Sequence, residues 1–290
     1  MKEIRGIITA MATPFDESGA VDTDAARRLA SYLLEHGSHG LVVAATSGEL
    51  PTLTDEEEIL LLQAVREEVG DDVLIVCGAG TNDTRHSCEL TKMVAEAGAD
   101  ASLVVAPYYN KPNRAGLRAH FETVAEAVPE LPLIMYNIPS RVVINMPPDL
   151  LAELAQIENI VALKQANDEE LGPIEGLAIL AGNDNTFARV LEFGGAGGIT
   201  VASHVVGPQM REMWDAAANG DIDRVRAIDD ELTPIYEGLS VTTNPIPLKA
   251  ALEMLGLAPG GLRLPLVPAD DEQRAVIRTA LQGVGLPVAG

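Results

Sequence analysis

Eight short apolar runs, each followed by a stretch with helical periodicity or cap residues, constrain this 290-residue chain more than any other feature. The runs are Gly6–Ala12, Gly40–Ala44, Val73–Cys77, Ala101–Ala106, Leu133–Tyr136, Ile160–Lys164, Ala178–Ala181 and Gly198–Val201. One follows the next after roughly 27 residues, near the roughly 30 of a strand, crossover helix and parallel return. Several are apolar throughout rather than alternating, as parallel strands covered on their outer face are. Eight such units predict an α/β chain closed into a (β/α)8 TIM barrel, because an open doubly wound sheet usually carries fewer strands.

The intervening segments carry their own signals. Asp22 or Thr23 caps a helix whose Ala26, Leu29, Ala30 and Leu33 share a face, ending at Gly37. Thr54-Asp55-Glu56-Glu57 reads as a capping box in which Glu57 reaches back to the Thr54 amide. Leu90, Met93, Val94 and Ala97 repeat at helical spacing and stop at Gly98. After the eighth run the pattern turns wholly helical, at about residues 208–219, 222–238, 247–255 and 271–282. The first of these closes the barrel, so the chain divides into a barrel, residues 1–220, and a C-terminal helical region, residues 221–290. That region is expected either to be a packing layer or to serve oligomerisation or cover the site.

Composition excludes several classes. Twenty basic residues against 43 acidic ones give a net charge of −23, which repels nucleic acid and anionic membranes alike. With 47% hydrophobic and 22% charged residues, the chain is globular rather than disordered. No apolar run reaches the roughly 18 residues of a membrane span. Cys77 and Cys88 are too few for a disulfide framework. The opening residues lack the apolar core of a signal peptide, so a cytoplasmic protein is expected.

In a barrel of this kind, reactive side chains close the strands. Of the five lysines, Lys2 lies at the terminus, Lys92 on an amphipathic helix, Lys111 in a Pro-flanked loop and Lys249 in the appendix. Lys164 alone ends an apolar run. A lysine buried there loses charge, because low dielectric disfavours the ammonium, and a neutral amine attacks a carbonyl to form a Schiff base. The bland alternative is a strand-end lysine reaching solvent or paired with a carboxylate.

The other strand ends favour chemistry. Run five leads into Tyr136 and Arg141, run four into Tyr108 and Tyr109, and run two into Thr46, Ser47 and Gly48. Hydroxyls and phenols relay protons, and a guanidinium holds a carboxylate bidentately. Together these residues point to a Schiff-base enzyme acting on a keto acid. Three rival readings carry less. Gly194–Gly198 could cradle a phosphate, but only Arg189 stands nearby. The histidines (36, 39, 86, 120 and 204) are not spaced as metal ligands, so no metal is expected, and His36 and His39 suit a helix C-terminus as cations. A non-catalytic keto-acid-binding barrel would need no lysine nucleophile. Cys77 reads as a buried small hydrophobe.

The same residues resemble a known family. Thr13-Pro14-Phe15, Thr46-Ser47-Gly48-Glu49, Pro107-Tyr108-Tyr109-Asn110, Tyr136-Asn137-Ile138-Pro139-Ser140-Arg141 and Lys164 are similar to the motifs of the dihydrodipicolinate synthase / N-acetylneuraminate lyase superfamily. So are Gly194–Ile199, Asn244-Pro245-Ile246-Pro247-Leu248-Lys249 and Leu262-Arg263-Leu264-Pro265-Leu266. The likeness covers nearly the whole chain and is strongest to the 4-hydroxy-tetrahydrodipicolinate synthases.

The resemblance implies that Lys164 forms an imine and then an enamine with pyruvate, and that the enamine attacks L-aspartate 4-semialdehyde in lysine/diaminopimelate biosynthesis. It implies a proton relay of Tyr136, Thr46 and Tyr109, with Tyr109 reaching into a neighbouring subunit's site. Arg141 would hold the semialdehyde's carboxylate, Thr46 and Ser47 that of pyruvate, and Gly182 and the Ile199 carbonyl would border the pocket. It implies no cofactor and no metal, and a homotetramer built as a dimer of dimers. The superfamily alternative is another pyruvate-dependent aldolase, acting on 2-keto-3-deoxy sugar acids or N-acetylneuraminate.

Departures from the family pattern fall at Ser47, at Val142-Val143 where Thr-Gly is usual, at Asn183, and at His204. The two valines are expected to narrow or shift the aldehyde pocket. Positions that form the lysine-feedback pocket of relatives read Leu50, Asp55, Glu58 and His86, with Asn82 and Tyr108 retained. The resemblance therefore implies weak or absent lysine feedback.

Overall fold

The computed structural model describes residues 2–257 and 259–288. Its strands are β1 (Gly6–Ala10), β2 (Gly40–Val43), β3 (Leu74–Gly78), β4 (Ala101–Val105), β5 (Leu133–Asn137), β6 (Ile160–Gln165), β7 (Ala178–Ala181) and β8 (Gly197–Thr200). They pair in chain order, all parallel, and β8 returns to β1 to close the barrel. The eight expected runs are these eight strands, displaced by a residue or two at their ends. Side-chain polarity marks a run, whereas backbone pairing ends a strand.

The helices are α1 (Thr23–Glu35), α2 (Asp55–Val69), α3 (Thr84–Glu96), α4 (Arg114–Ala127), α5 (Pro139–Val142), α6 (Pro148–Leu154), α7 (Phe187–Glu192), α8 (Ser203–Ala218), α9 (Ile222–Gly238), α10 (Ile246–Met254) and α11 (Asp271–Gly283). Asp22 caps α1 by accepting from the Ala25 amide at 2.9 Å. The capping box of α2 closes both ways, Glu57 N–H to Thr54 Oγ1 at 3.2 Å and Thr54 N–H to Glu57 Oε2 at 3.0 Å. Two crossovers depart from the expected pattern. Between β6 and β7 there is only a 3-10 turn, Asp168–Glu170, because Gly172 and Pro173 leave too little uninterrupted chain for a helix. Helix α8 begins at Ser203 rather than near 208. Its opening turn precedes Pro208, and the backbone breaks at Val206 (φ −126°, ψ 31°), as a proline without an N–H to donate requires.

The helices after α8 share the barrel's core. Ile228, Leu232, Ile235, Ile277 and Leu281 belong to the same buried cluster as Tyr136, Leu163 and Leu180. A second cluster joins β2 and β3 to α1, α2 and α3 through Leu29, Leu33, Leu61, Ile75 and Leu90. Each fully buried Leu or Ile contributes roughly 1.5–3 kcal/mol, so α9 and α11 are held as firmly as barrel helices.

An ionic cluster ties the appendix to the loop after β2. Lys249 is 3% exposed and lies 2.6 Å from the fully buried Glu49 carboxylate. Arg263 donates its amide to Glu49 (3.0 Å) and holds Glu57 with two guanidinium nitrogens (2.7 and 2.6 Å). Both cations also sit over the Phe15 ring, at 4.2 and 4.4 Å.

Candidate active site

The C-terminal ends of the strands open into a cavity of about 540 Å³. Lys164, Tyr136, Thr46, Ser47, Arg141 and Gly182 all line it, so six of the eight site residues expected from the sequence meet in one place. Strand register does most of this. Tyr136 on β5 pairs with Lys164 on β6, which pairs in turn with Leu180 on β7. The Lys164 ammonium nitrogen lies 4.3 Å from the Tyr136 ring centroid.

Burial sets the chemistry of both groups. Lys164 is 4% exposed, and burial pulls its pKa down from 10.5 to about 7. Asp184 acts against that fall and the Arg141 cation adds to it. A substantial neutral fraction therefore exists near neutrality, which is the state a nucleophilic amine needs. Burial raises Tyr136 to about 12, so the phenol keeps its proton, while Arg141 and the Thr46 hydroxyl beside it lower the cost of ionisation. Asp184 is itself raised by burial, and the Val201 amide compensates by donating to its Oδ1 at 2.8 Å.

The loops that carry these groups are anchored. Thr13 Oγ1 donates to the Gly48 carbonyl at 2.7 Å, and Glu49 takes a left-handed conformation (φ 56°) stabilised by its contacts with Lys249 and Arg263. Asn244 Nδ2 donates to Ser47 Oγ at 3.0 Å, and Arg141 donates to the Asn244 carbonyl at 3.1 Å. Gly182 leaves no room for a side chain, because a Cβ there would stand 2.7 Å from the Gln165 carbonyl.

Two expected residues are not among those that line the cavity. Tyr109 is 87% exposed, with a left-handed backbone (φ 69°), and does not enter this chain's own cavity. Ile199 is buried in mid-strand, paired with Ile8, and Val201 lines the cavity in its place.

Several other expectations are corrected. Val143 is 66% exposed and does not line the Lys164 cavity, whereas Val142 lines an adjoining pocket that shares Thr46, Tyr136 and Arg141 with it. His39 is not a cation at a helix end. Its Nδ1 accepts the Ile7 amide at 3.0 Å and burial lowers its pKa, so the ring is neutral. His204 is also neutral, its pKa pushed down to about 4, and it bridges the Ala12 amide and the Val201 carbonyl. Gly194–Gly198 enters β8 at the opposite end of the barrel. Gly197 (φ 121°) lies so close to the Gly6 backbone that a Cβ would overlap it, and Arg189 donates to the Asp168 and Leu171 carbonyls. Cys77 is fully buried, as read from the sequence, with its thiol against Glu58.

The sequence reading missed Asp184, Asn244 and the α9 wall of the cavity, Asp229, Thr233, Tyr236, Glu237 and Ser240. Asp184 was within reach of the strand-end rule, since it stands just beyond β7. Asn244 was read only as part of a family motif and given no role, because its place beside Ser47 and Arg141 follows from the fold of the appendix.

The profile of the dihydrodipicolinate synthetase family matches residues 3–284. A 4-hydroxy-tetrahydrodipicolinate synthase of Parasynechococcus marenigrum is 48% identical over 278 residues, which cover 93% of this chain and 92% of that protein. The solved dihydrodipicolinate synthase of Cyanidioschyzon merolae, with lysine bound, superposes with a TM-score of 0.92 at 38% identity, covering 97% of this chain and 98% of that one. The chloride-inhibited enzyme of Acinetobacter baumannii, complexed with pyruvate, gives a TM-score of 0.94 at 35% identity, over 98% of this chain and all of the other (100%).

Proposed function

The chain belongs to the dihydrodipicolinate synthetase family, with the lyase activity of a 4-hydroxy-tetrahydrodipicolinate synthase, and we propose that Lys164 carries this activity as a Schiff-base nucleophile. The observation that supports this reading is the buried Lys164 amine, with its pKa near 7, beside the Tyr136 phenol in a cavity that also holds a guanidinium.

The neutral amine adds to the keto carbon of pyruvate, water leaves, and an imine forms. Loss of a methyl proton gives the enamine, whose carbon attacks the aldehyde of L-aspartate 4-semialdehyde as the aldehyde oxygen takes up a proton. The amino group of the adduct then attacks the imine carbon, closes the six-membered ring and releases Lys164. Tyr136 and Thr46 move the protons these steps require, worth typically a hundredfold or more in rate. Ser47 and Thr46 hold the pyruvate carboxylate, Arg141 that of the aldehyde, and Gly182 borders the bound adduct. The backbone near Ile199 and Val201 closes the floor. Tyr109, exposed on this chain, completes the relay in the site of a second copy within a homotetramer. No organic cofactor enters the scheme.

The test is turnover of pyruvate with L-aspartate 4-semialdehyde against turnover with sugar aldehydes such as N-acetylmannosamine. A kcat/KM for the semialdehyde at least about a hundredfold above that for the sugar supports the synthase. The reverse preference overturns it.

A further inference from the structure

Helix α9 turns one polar face toward the Lys164 cavity. Asp229, Thr233, Tyr236, Glu237 and Ser240 all line it, at spacings that place them on one side of a helix. No step of the proposed reaction uses them.

Two of these side chains carry buried atoms without a well-formed hydrogen bond. Tyr236 is 5% exposed, and its hydroxyl has no hydrogen-bond partner among the described residues; nor does Oδ1 of Asp229. The two groups face each other, for the Asp229 charge and a side-chain hydrogen-bonding contact with Asp229 both help to raise the phenol's pKa, yet that contact falls short of ordinary hydrogen-bond geometry and leaves both atoms incompletely bonded. Leaving such an atom unpaired costs roughly 1–3 kcal/mol. Two of them, side by side in the wall of a cavity, mark a place where a ligand completes the bonding.

The charge around the pair says what kind of ligand. The charges acting on Asp229 and Tyr236 come from Asp184, Asp230 and Glu192, all carboxylates; Arg226 pairs with Glu192 and Lys164 acts on Asp184, but Asp229 itself has no ion-pair partner among the described residues. Burial and this repulsion push the Asp229 carboxyl up to about 6, so it remains largely ionised at neutral pH. An unpaired carboxylate beside a phenol oxygen complements a cation with several N–H donors. Pyruvate has none. An α-amino aldehyde carries an ammonium beside its carboxylate, and Arg141 supplies the counter-charge for that carboxylate from another wall of the same cavity.

We propose that Asp229 and Tyr236 form an ammonium subsite on α9 that selects an amino-bearing aldehyde as the second substrate, an inference that rests on the synthase reading above. The ammonium donates to Asp229 Oδ1 and to the Tyr236 oxygen, satisfying both orphaned atoms, while the carboxylate on the same carbon faces Arg141. The C-terminal helices then serve the site directly and are more than a packing layer.

The test compares Asp229→Asn and Tyr236→Phe with the unaltered protein, using L-aspartate 4-semialdehyde and 4-oxobutanoate, which has the same aldehyde and carboxylate but no amine. Charge-assisted hydrogen bonds predict that Asp229→Asn raises the semialdehyde KM about tenfold or more, and Tyr236→Phe about threefold. The inhibition constant of 4-oxobutanoate should move less than about twofold. Borohydride trapping of the pyruvyl adduct in each variant reports an intact barrel. If both ligands weaken equally, or neither does, in a protein that turns over the semialdehyde, α9 holds only water and the subsite is overturned. If the unaltered protein traps pyruvate yet turns over no semialdehyde, the synthase reading falls and the subsite falls with it.

Discussion

Lys164 and Tyr136 are register partners on β6 and β5, and the amine sits 4.3 Å from the phenol ring centroid. Neither side chain needs a flexible loop to bring it there. The two strands fix the pair, and burial then pulls the amine down and pushes the phenol up, leaving a neutral nucleophile beside a protonated acid.

That arrangement predicts a pH profile. Imine formation requires neutral Lys164, so its rate with pyruvate should rise through pH about 7 and level off above. The Asp184 charge favours the ammonium, so Asp184→Asn should move the inflection to lower pH. Stopped-flow or quench measurements of adduct formation check both. An inflection near the ordinary lysine range, or one unmoved by the substitution, would contradict the electrostatics.

The same burial costs stability. The unfolded chain binds the lysine proton more tightly than the folded one between pH about 7 and 10.5, so stability rises with pH across that window. Below it the penalty is on the order of 5 kcal/mol. Lys164→Met should therefore raise the melting temperature, and raise it more in mildly acidic than in alkaline buffer. Equal or lower melting temperatures across the range would contradict this.

Much of the architecture was legible because it depends on local pattern. The strand runs, the capping box at Thr54 and the helix from Ile222 each follow from residues close in sequence. Lys164 was legible for the same reason, as the only lysine closing an apolar run. Lys249 was not. It looked like an appendix lysine, yet it pairs at 2.6 Å with Glu49, about two hundred residues away, across a contact that only the closed fold creates. Tyr236 and Asp229 were hidden likewise, since an ordinary surface helix also carries polar residues at that spacing.

Lys249→Met removes the cation facing the buried Glu49 carboxylate. Breaking such a pair on one side costs about 3–5 kcal/mol. Denaturant unfolding should show a loss of that order, and adding Glu49→Leu to the same chain should recover part of it. A single variant as stable as the parent would show that the pair does not hold the loop after β2.

Val143 takes φ 70°, a conformation in which a β-branched side chain is strained by roughly 1–2 kcal/mol. It is exposed at the end of α5 and its side chain contributes little packing. Val143→Gly should leave stability unchanged or raise it by up to about 1 kcal/mol, since glycine's greater unfolded-state freedom offsets part of the relief. A clear loss on thermal unfolding would show that the valine is not strained.

Lysine should be a poor inhibitor. Glu58 is buried (1% exposed) against Cys77, and Asp55 is bonded to His86 at 3.0 Å, so neither carboxylate is free to receive an ammonium. Saturating lysine should leave most of the turnover intact. Suppression of more than about tenfold would overturn this expectation.

The central claim is that Lys164 forms the covalent adduct. Reduction with borohydride in the presence of pyruvate, read by intact and peptide mass, tests it most directly. A pyruvyl adduct on the peptide carrying Lys164, absent from folded Lys164→Ala, is the predicted result. An unmodified protein that nevertheless binds pyruvate, or an adduct that persists in the variant, would contradict it.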